Sequence, residues 1–474
     1  MFVLKFGGTS VADRSAITRL IEIVRATRQA ALPNVLVGTQ QDPRGPIVVV
    51  SALGGATDRL LGLAAQAGAG DADGARENVR LLLERHLEVA GVIADAGLRA
   101  EVEAYLSTEF GALARTVAAL AVLEEVSPRW LDAIAAVGEL ASSRIVAAAL
   151  ESRGVPAAWV DARRVMVTTA EHMAAPPLMV ETQASMSSEL IPLLAARRVP
   201  VVGGFVGATV DGVTTTLGRG GSDYSAAIVG ACTGASEIQI WTDVDGMLTA
   251  DPRLVPSARV VPQLSFDEAS ELAYFGAKVL HPATILPAMA KNIPVRILNS
   301  RHAEGLGTLI TASRPSSGHP LTAVASKRHV TVVDISSTRM LMAHGFLHKL
   351  FGVFEQHATS VDVVTTSEVS VSVTVDDGRR LPRILEDLKA FADVTSSSDL
   401  AVLCVVGEGI QGDATFVSRL LKALGPVPIR MLSQASERRN ITIVIPDAEL
   451  PGALTRVHEE FFSNLSAVAG GEGG

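Results

Sequence analysis

Three clusters in the 474-residue sequence have residue types and spacing suited to holding anions. The densest runs from Thr214 to Ala227, Thr-Thr-Thr-Leu-Gly-Arg-Gly-Gly-Ser-Asp-Tyr-Ser-Ala-Ala. Gly218, Gly220 and Gly221 permit a tight turn that brings bare N–H groups close to an anion, and Ala226 to Val229 read as an opening helix whose dipole adds to the effect. Arg219 offers a planar fork for a carboxylate or phosphate. Ser222 and Asp223 stand where a cap would, able to bond either the first helical amides or a ligand. A plain capped glycine turn is the competing reading. The second cluster follows the apolar strand Phe2 to Phe6, which runs into Gly7-Gly8-Thr9-Ser10 and then a helical pattern at Ile17, Leu20, Ile21 and Val24. Lys5 would put an ammonium at the carboxyl end of that strand, where the crevice of an open α/β sheet lies; a solvated lysine is the alternative. Neither a P-loop nor a dinucleotide fingerprint is present. The third cluster, Ala52-Leu53-Gly54-Gly55-Ala56-Thr57, closes the apolar strand Ile47 to Ser51, with Thr57 read as a helix N-cap.

These loops need a sheet to hold them, and the pattern supplies one. Further strands are expected at Ala157–Val160, Val199–Phe205, Glu237–Gly246, Val295–Asn299 and Thr308–Ile310. Residues 75 to 125 read as helical packing, with His86 on the surface. Ser127-Pro128 starts a long small-residue helix over Leu131 to Leu150. Within it Glu139 sits among apolar neighbours, and a half-buried carboxylate needs a partner: either Arg144 or a ligand. Asp243 and Asp245 before Gly246 suit a tight turn better than a metal. Phe266 to Leu280 reads as a helix with Lys278 near its end, stopped by His281-Pro282, with His281 structural. Residues 312 to 320 have linker composition. Two βαββ-type patterns follow, about 70 residues apart. The turn Gly345-Phe346-Leu347, facing Asp362 and Thr366-Ser367-Glu368, reads as a small-molecule pocket.

Composition narrows the function. The formal charge of −9, without blocks of one sign, argues against nucleic acid or an anionic membrane as the main partner. Two cysteines, Cys232 and Cys404, encode neither a disulfide framework nor a multi-cysteine metal site and fit a reducing cytoplasm. No targeting pattern opens the sequence, and no apolar run reaches the ~20 residues of a spanning helix.

The motifs Lys5-Phe6-Gly7-Gly8-Thr9-Ser10, Gly218-Arg219-Gly220-Gly221-Ser222-Asp223, Trp241-Thr242-Asp243 through Asp251-Pro252-Arg253, and Phe275-Gly276-Ala277-Lys278-Val279-Leu280-His281-Pro282 together resemble aspartate kinase over nearly the whole chain. The resemblance implies an α/β fold: a three-layer α/β/α domain with a mostly parallel sheet at 1–312, then two ferredoxin-like βαββαβ ACT domains. The first would span 323–395 and be completed by 446–465, with the second inserted at 396–445. It implies transfer of the ATP γ-phosphoryl group to the side-chain carboxylate of L-aspartate, the opening step of lysine, threonine and methionine synthesis. Mg²⁺ would arrive on the nucleotide phosphates and no protein metal ligand is implied.

By the same resemblance Lys5, Gly8 and Asp223 are catalytic, and Thr57, Glu139, Phe205, Arg219, Ser222 and Asp223 bind aspartate, with Arg219 on the α-carboxylate and Glu139 on the ammonium. Lys5, Gly7, Gly8, Ser51, Thr242, Asp243, Leu248, Arg253, Lys278 and Val279 face ATP, Leu248 replacing a tyrosine of several relatives. Met340, Gly345, Phe346, Leu347, Ser360, Val361, Asp362, Thr366, Ser367 and Glu368 form an amino-acid effector site for L-lysine, with Ala343 where a serine is often found. A homodimer through the ACT domains is implied, and the tail Gly470 to Gly474 is expected to be disordered. Two rivals remain: a kinase for another amino acid or a nucleotide, and a silent amino-acid sensor. The zwitterion clamp of Arg219 with Glu139 argues against the first, and the intact Lys5, Arg219 and Asp223 against the second.

Overall fold

The computed structural model describes residues 1–30, 45–276, 280–314, 321–337, 340, 344–408, 410, 413, 415–434 and 439–463. Lys278, Val279, Ala343 and Gly470 to Gly474 lie outside the described residues. The chain forms two compact units, Met1–Gly246 with Val279–Ala312, and Met247–Lys278 with Ser313–Gly474. The stretch expected inside one continuous domain at 1–312 is thus divided, because 247–278 packs with the carboxyl-terminal part.

In the first unit the sheet strands are β1 (Phe2–Phe6), β2 (Ile47–Val50), β3 (Ala157–Val160) and β4 (Val199–Gly203). After the hairpin β5 (Val206–Ala208) and β6 (Thr214–Thr216) come β7 (Glu237–Thr242), β8 (Val295–Asn299) and β9 (Thr308–Thr311). They order as β3-β4-β2-β1-β7-β8-β9, parallel except for β9. Register decides function here: Phe6 pairs with Val50 and Trp241, and Val50 with Gly203, so the loops leaving β1, β2, β4 and β7 all emerge at one end.

The longer helices of this unit are α1 (Arg14–Ala30), α2 (Ala56–Gly68), α3 (Ala72–Ala90), α4 (Ala96–Leu123), α5 (Pro128–Ser152), α6 (Met179–Ala195) and α7 (Gly221–Thr233). The helical run expected over 75–125 is two helices, since Asp95 accepts the amide of Leu98 at 2.8 Å and starts a new one. Their shared core corrects the surface reading of His86. It is fully buried, packs at a tilt against Phe110, and its Nδ1 meets the Leu82 carbonyl at 2.7 Å. Burial pushes its pKa down to about 4. The sequence reading also found no spanning-length apolar run, whereas α4 and α5 are each long and apolar enough by length and composition. For α5 the reason is burial, because most of its surface lies in the protein core.

The second unit, which starts at Met247, contains a helix at Phe266–Tyr274, capped reciprocally by Ser265 and Glu268. It ends six residues before the expected Leu280, ahead of Gly276, whose φ of +138° is not helical. Beyond it lies a six-stranded antiparallel sheet of β10 (Ala323–Ser336), β11 (Val364–Thr366), β12 (Ser370–Val375), β13 (Asp393–Val406), β14 (Met431–Gln434) and β15 (Asn440–Pro446), ordered β11-β12-β10-β13-β15-β14. Four helices cover it: α8 (Phe346–Gln356), α9 (Leu381–Lys389), α10 (Phe416–Leu424) and α11 (Leu450–Phe462).

Two strands are shared between two ferredoxin-like halves. The later part of β10, from Val332, pairs with the start of β13, and the earlier part, up to Lys327, pairs with its end. The first half, with its core of Leu350, Phe354, Ile384 and Leu388, is continuous from Val330 to Asp399. It takes nothing from 446–465. Instead Leu450, Leu454 and Val457 of α11 share a core with Phe416, Leu420 and Leu424 of α10, so α11 completes the second half. The expected nesting is reversed: the first half is inserted between 323–327 and the rest of the second.

Candidate active site

The carboxyl ends of β1, β2 and β4, with the amino end of α7, surround a cavity of about 560 Å³. Ten of its lining residues decide its chemistry: Lys5, Gly8, Ser51, Thr57, Glu139, Phe205, Gly218, Arg219, Ser222 and Asp223. All eight substrate and catalytic residues expected from sequence are therefore gathered in one place, Lys5, Gly8, Thr57, Glu139, Phe205, Arg219, Ser222 and Asp223, with Ser51 of the nucleotide set beside them.

Lys5 is buried, and its Nζ lies 2.6 Å from Asp223 Oδ1. This is an ion pair without an aligned donor, for Asp223 Oδ1 has no directed hydrogen bond. Asp223 and Ser222 do not cap α7. The N-cap is Gly220, at φ +71°, and no side chain caps the helix. Asp223 is free of that duty and turns to Lys5. Thr57 is likewise no cap, because Gly55, at φ +75°, takes that position and Thr57 lies inside α2. Arg219 is exposed and has no partner among the described residues. Phe205 adopts φ +64°, unusual for a side chain with a Cβ, and its amide donates to Ser225 Oγ at 2.8 Å.

Glu139 comes from the middle of α5, which Gly138 allows close to the loop after β2: a Cβ there would stand 2.9 Å from that of Ala52. Its carboxyl group is almost wholly buried, and Oε2 has no hydrogen-bond partner. Desolvation pushes its pKa up to about 8, against a lesser lowering by the Ala52 and Glu139 backbone. The Arg144 pair offered as an alternative does not form; that guanidinium sits over the rings of Trp159 and Tyr105 instead. Ser142, also on α5, donates to the Ser51 carbonyl at 2.7 Å and ties the helix to the anion loop.

Asp132 escaped the sequence reading. Fully buried on α5, it accepts from His172 Nδ1 at 2.6 Å, the Met173 amide at 3.0 Å and Thr216 Oγ1 at 2.5 Å. These bonds hold Met173, a cavity-lining residue, and the strand leading into the glycine stretch. The signal was available: Asp132 and Glu139 are seven apart, two turns along one helix face.

The nucleotide set is only partly gathered. Lys5, Gly8 and Ser51 line the cavity, and the Gly7 amide donates to the Trp241 carbonyl at 3.0 Å. Thr242 ends β7, with Asp243 exposed beyond it. Asp245 bonds Asn299 Nδ2 at 2.7 Å and His302 Nδ1 at 3.2 Å, contacts that hold its pKa low and agree with a turn. Leu248 and Arg253 belong to the second unit, where Leu248 bridges to Val260 and the exposed Arg253 pairs with Asp251 at 2.6 Å. Lys278 and Val279 lie outside the described residues.

In the second unit Met340 and Val361 pack on the first half's core, Gly345 caps α8, and Phe346 meets the edge of Phe391. Leu347, Ser360, Thr366, Ser367 and Glu368 are exposed. Asp362 is already engaged: Lys327 Nζ lies 2.8 Å from its Oδ2, and Tyr274 donates to its Oδ1 at 2.5 Å. Lys327 also reaches Asp376 at 2.9 Å. A cavity of about 380 Å³ in this unit is lined by Ser336, Val369, Lys389, Phe391 and Asp393, none of them among the expected effector residues.

A parallel sheet whose strand ends collect a lysine, an arginine and an amide-rich turn is built to hold phosphate and carboxylate together. Residues 1–299 match the model of the amino acid kinase family, and residues 403–461 match that of the ACT domain. The chain is 34% identical to lysine-sensitive aspartokinase 3 of Escherichia coli, covering 97% of this chain and 99% of that one. It is also 34% identical to the chloroplastic aspartokinase 1 of Arabidopsis thaliana, over 98% of this chain and 80% of the relative. The crystal structure of E. coli aspartokinase III with aspartate and ADP superimposes at a TM-score of 0.79, with 34% identity, over 98% of this chain and 100% of that one. The same enzyme with lysine and aspartate gives 0.80, at 31% identity, over 98% and 99%. The chain belongs to the aspartokinases of the amino acid kinase family.

Proposed function

We propose that this chain transfers the γ-phosphoryl group of ATP to the side-chain carboxylate of L-aspartate, giving 4-phospho-L-aspartate and ADP, and that lysine restrains it through the ACT halves. The observation that carries the substrate assignment is Glu139, a buried carboxyl group whose Oε2 has no partner and which lines the same cavity as the unpartnered Arg219. An isolated buried carboxylate is costly, and a cation entering beside it removes the cost. In an α-amino acid the ammonium goes to Glu139 and the α-carboxylate to the Arg219 fork. The side-chain carboxylate then points to the amides around Gly8 and to Lys5.

The reacting carboxylate needs no general base, since its reference pKa of about 3.9 leaves it ionised at neutral pH. One of its oxygens forms a bond to the γ-phosphorus while the bond to the bridging oxygen of ADP breaks. The protein's task is positioning and neutralising charge. Lys5 faces the transferring group, held in place by Asp223, while Gly7, Gly8 and Ser51 offer backbone around it. Thr57, Phe205 and Ser222 enclose the amino acid. The nucleotide extends toward Thr242 and Asp243, with Leu248, Arg253, Lys278 and Val279 as its further contacts. Mg²⁺ would arrive with the nucleotide and supply positive charge to its phosphates.

We read residues 1–312 as the kinase portion, the two sheet halves as its regulatory ACT pair, and a homodimer through those halves as the assembly. The exposed edge strand β11, with Val364 partly exposed, supports pairing between copies. Cys232 and Cys404 are free and buried, which supports a reducing compartment such as the cytoplasm. The test is turnover of aspartate with ATP and Mg²⁺, read as ADP and as hydroxamate after trapping with hydroxylamine. Lys5→Met is expected to lower kcat by on the order of a thousandfold with the aspartate KM changed little. Absence of trappable acyl phosphate from folded protein, with glutamate or N-acetylglutamate turned over instead, refutes the assignment.

A further inference from the structure

A second cavity of the first unit, of about 200 Å³, lies at the opposite end of the sheet from the active-site cavity. Ala157 and Val199 open β3 and β4 and pair with each other, whereas the catalytic loops leave the other ends of the strands. The cavity is walled by Glu101 and Val102 of α4, Arg144 and Ala148 of α5, Trp159 of β3, and Arg198. Its lining holds two arginines and two glutamates, Glu151 among them, but they are not all paired. Arg198 is paired with Glu151 at 3.2 Å, and Arg163, near Tyr105, with Asp161 at 2.6 Å. Arg144 has neither an acid nor a carbonyl partner among the described residues, and its buried Nε is unsatisfied. Its guanidinium rests 5.0 Å from the Trp159 ring centre and 5.7 Å from that of Tyr105. The buried Tyr105 hydroxyl beside it also lacks a partner.

A buried, unsatisfied guanidinium nitrogen in the wall of a small hollow, with an unpartnered tyrosine hydroxyl on the ring it rests against, is costly in folding free energy. A guanidinium resting against aromatic rings satisfies part of its charge through them and keeps N–H donors for a planar anion. The rim carries Glu101, exposed and likewise unpaired. We propose that this hollow binds a small molecule with a carboxylate on a compact branched apolar body, the carboxylate on Arg144 and the body against Val102, Ala148 and Trp159. Glu101 adds a place for an ammonium. The inference is independent of the reaction assigned above, because its readout is binding and no residue of the active-site cavity takes part.

The test is isothermal titration of the full chain with two probes of one shape, L-valine and 3-methylbutanoate. Heat with both assigns a plain carboxylate site, and heat with valine alone assigns an amino-acid site. In either case Arg144→Gln raises Kd at least about tenfold, the loss of one charge-assisted pair. Glu101→Ala, a change at an exposed residue that leaves packing intact, weakens valine relative to 3-methylbutanoate. No heat from either probe up to about 10 mM, a bound near 3 kcal/mol of affinity, overturns the proposal. Binding that neither variant alters overturns it as well.

Discussion

Glu139 makes a quantitative demand on the enzyme's pH dependence. In the unliganded pocket its pKa stands at about 8 because burial removes water without supplying a counter-charge. An incoming ammonium needs the ionised form, so binding must first release a proton. At pH 7 about one molecule in ten has Glu139 ionised, which weakens aspartate by roughly tenfold, or about 1.4 kcal/mol. At pH 6 the factor is roughly a hundred. The expected record is kcat/KM for aspartate, at saturating ATP, rising about tenfold per unit from pH 6 and levelling near 8. Glu139→Gln is the control: the ammonium then lacks its anion, kcat/KM falls by on the order of a hundredfold at pH 8, and the slope disappears. Stability follows with the opposite sign. Between about 4.5 and 8 the folded chain keeps a proton that the unfolded chain has released, so unfolding free energy falls as pH rises, by up to about 1.4 kcal/mol per unit. A wild-type kcat/KM that is flat between pH 6.5 and 8.5, or a Glu139→Gln enzyme with the wild-type slope, refutes the ammonium-site argument.

Three other substitutions probe separate parts of the structure. Gly221→Ala places a Cβ 2.5 Å from Phe205 Cδ2 and 3.1 Å from its Cα, so the aspartate KM should rise about tenfold and stability fall by about 1–3 kcal/mol, read by kinetics and urea unfolding. Lys327→Ala leaves Asp362, whose side chain is only 3% exposed, without its cation. If Asp362 receives an effector amine, lysine should then inhibit at about tenfold lower concentration; an unchanged inhibition curve removes Asp362 from the effector site. His86 is held neutral, with its pKa near 4 against 6.5 when unfolded, so its contribution is present above 6.5 and lost as pH falls toward 4. At pH 5 the unfolded chain gains about 2 kcal/mol from this proton, and His86→Leu should abolish that part of the acid shift in the urea midpoint.

What the sequence made legible was the chemistry attached to regular elements. Lys5 could be placed because a short apolar strand runs straight into a glycine pair, and Arg219 because glycines flank it on both sides. Glu139 stands out as a charge among apolar neighbours, and of the two partners weighed for it helix geometry excludes Arg144. At about 100° per residue, five positions carry Arg144 roughly 140° around the helix, onto the opposite face, whereas Asp132 at seven positions returns to the same side. His86 was open to the same reasoning, for Val79, Leu82, His86 and Val89 step by three, four and three along one buried face. Helical periodicity, taken strictly, held both answers.

Long-range economy of strands is a different matter. Nothing in the alternation of β10 or β13 tells that each serves two sheet halves, because a shared strand has the same inside–outside pattern as two strands in succession. Hence α11 completes the half the pattern does not assign it to, and 247–278, inside the stretch read as the kinase portion, packs with the carboxyl-terminal unit. Local periodicity reports which face of an element is buried, but not against what. The active-site residues escaped this limit because parallel strands in register deliver their terminal loops to one end, whichever neighbour each strand has. The residues expected for an effector did not: their surroundings depend on contacts distant in sequence, such as those by which Lys327 and Tyr274 already engage Asp362. If an effector amine binds this carboxylate, it must displace an internal one, and the strength of the Lys327 ion pair then weighs directly against effector affinity.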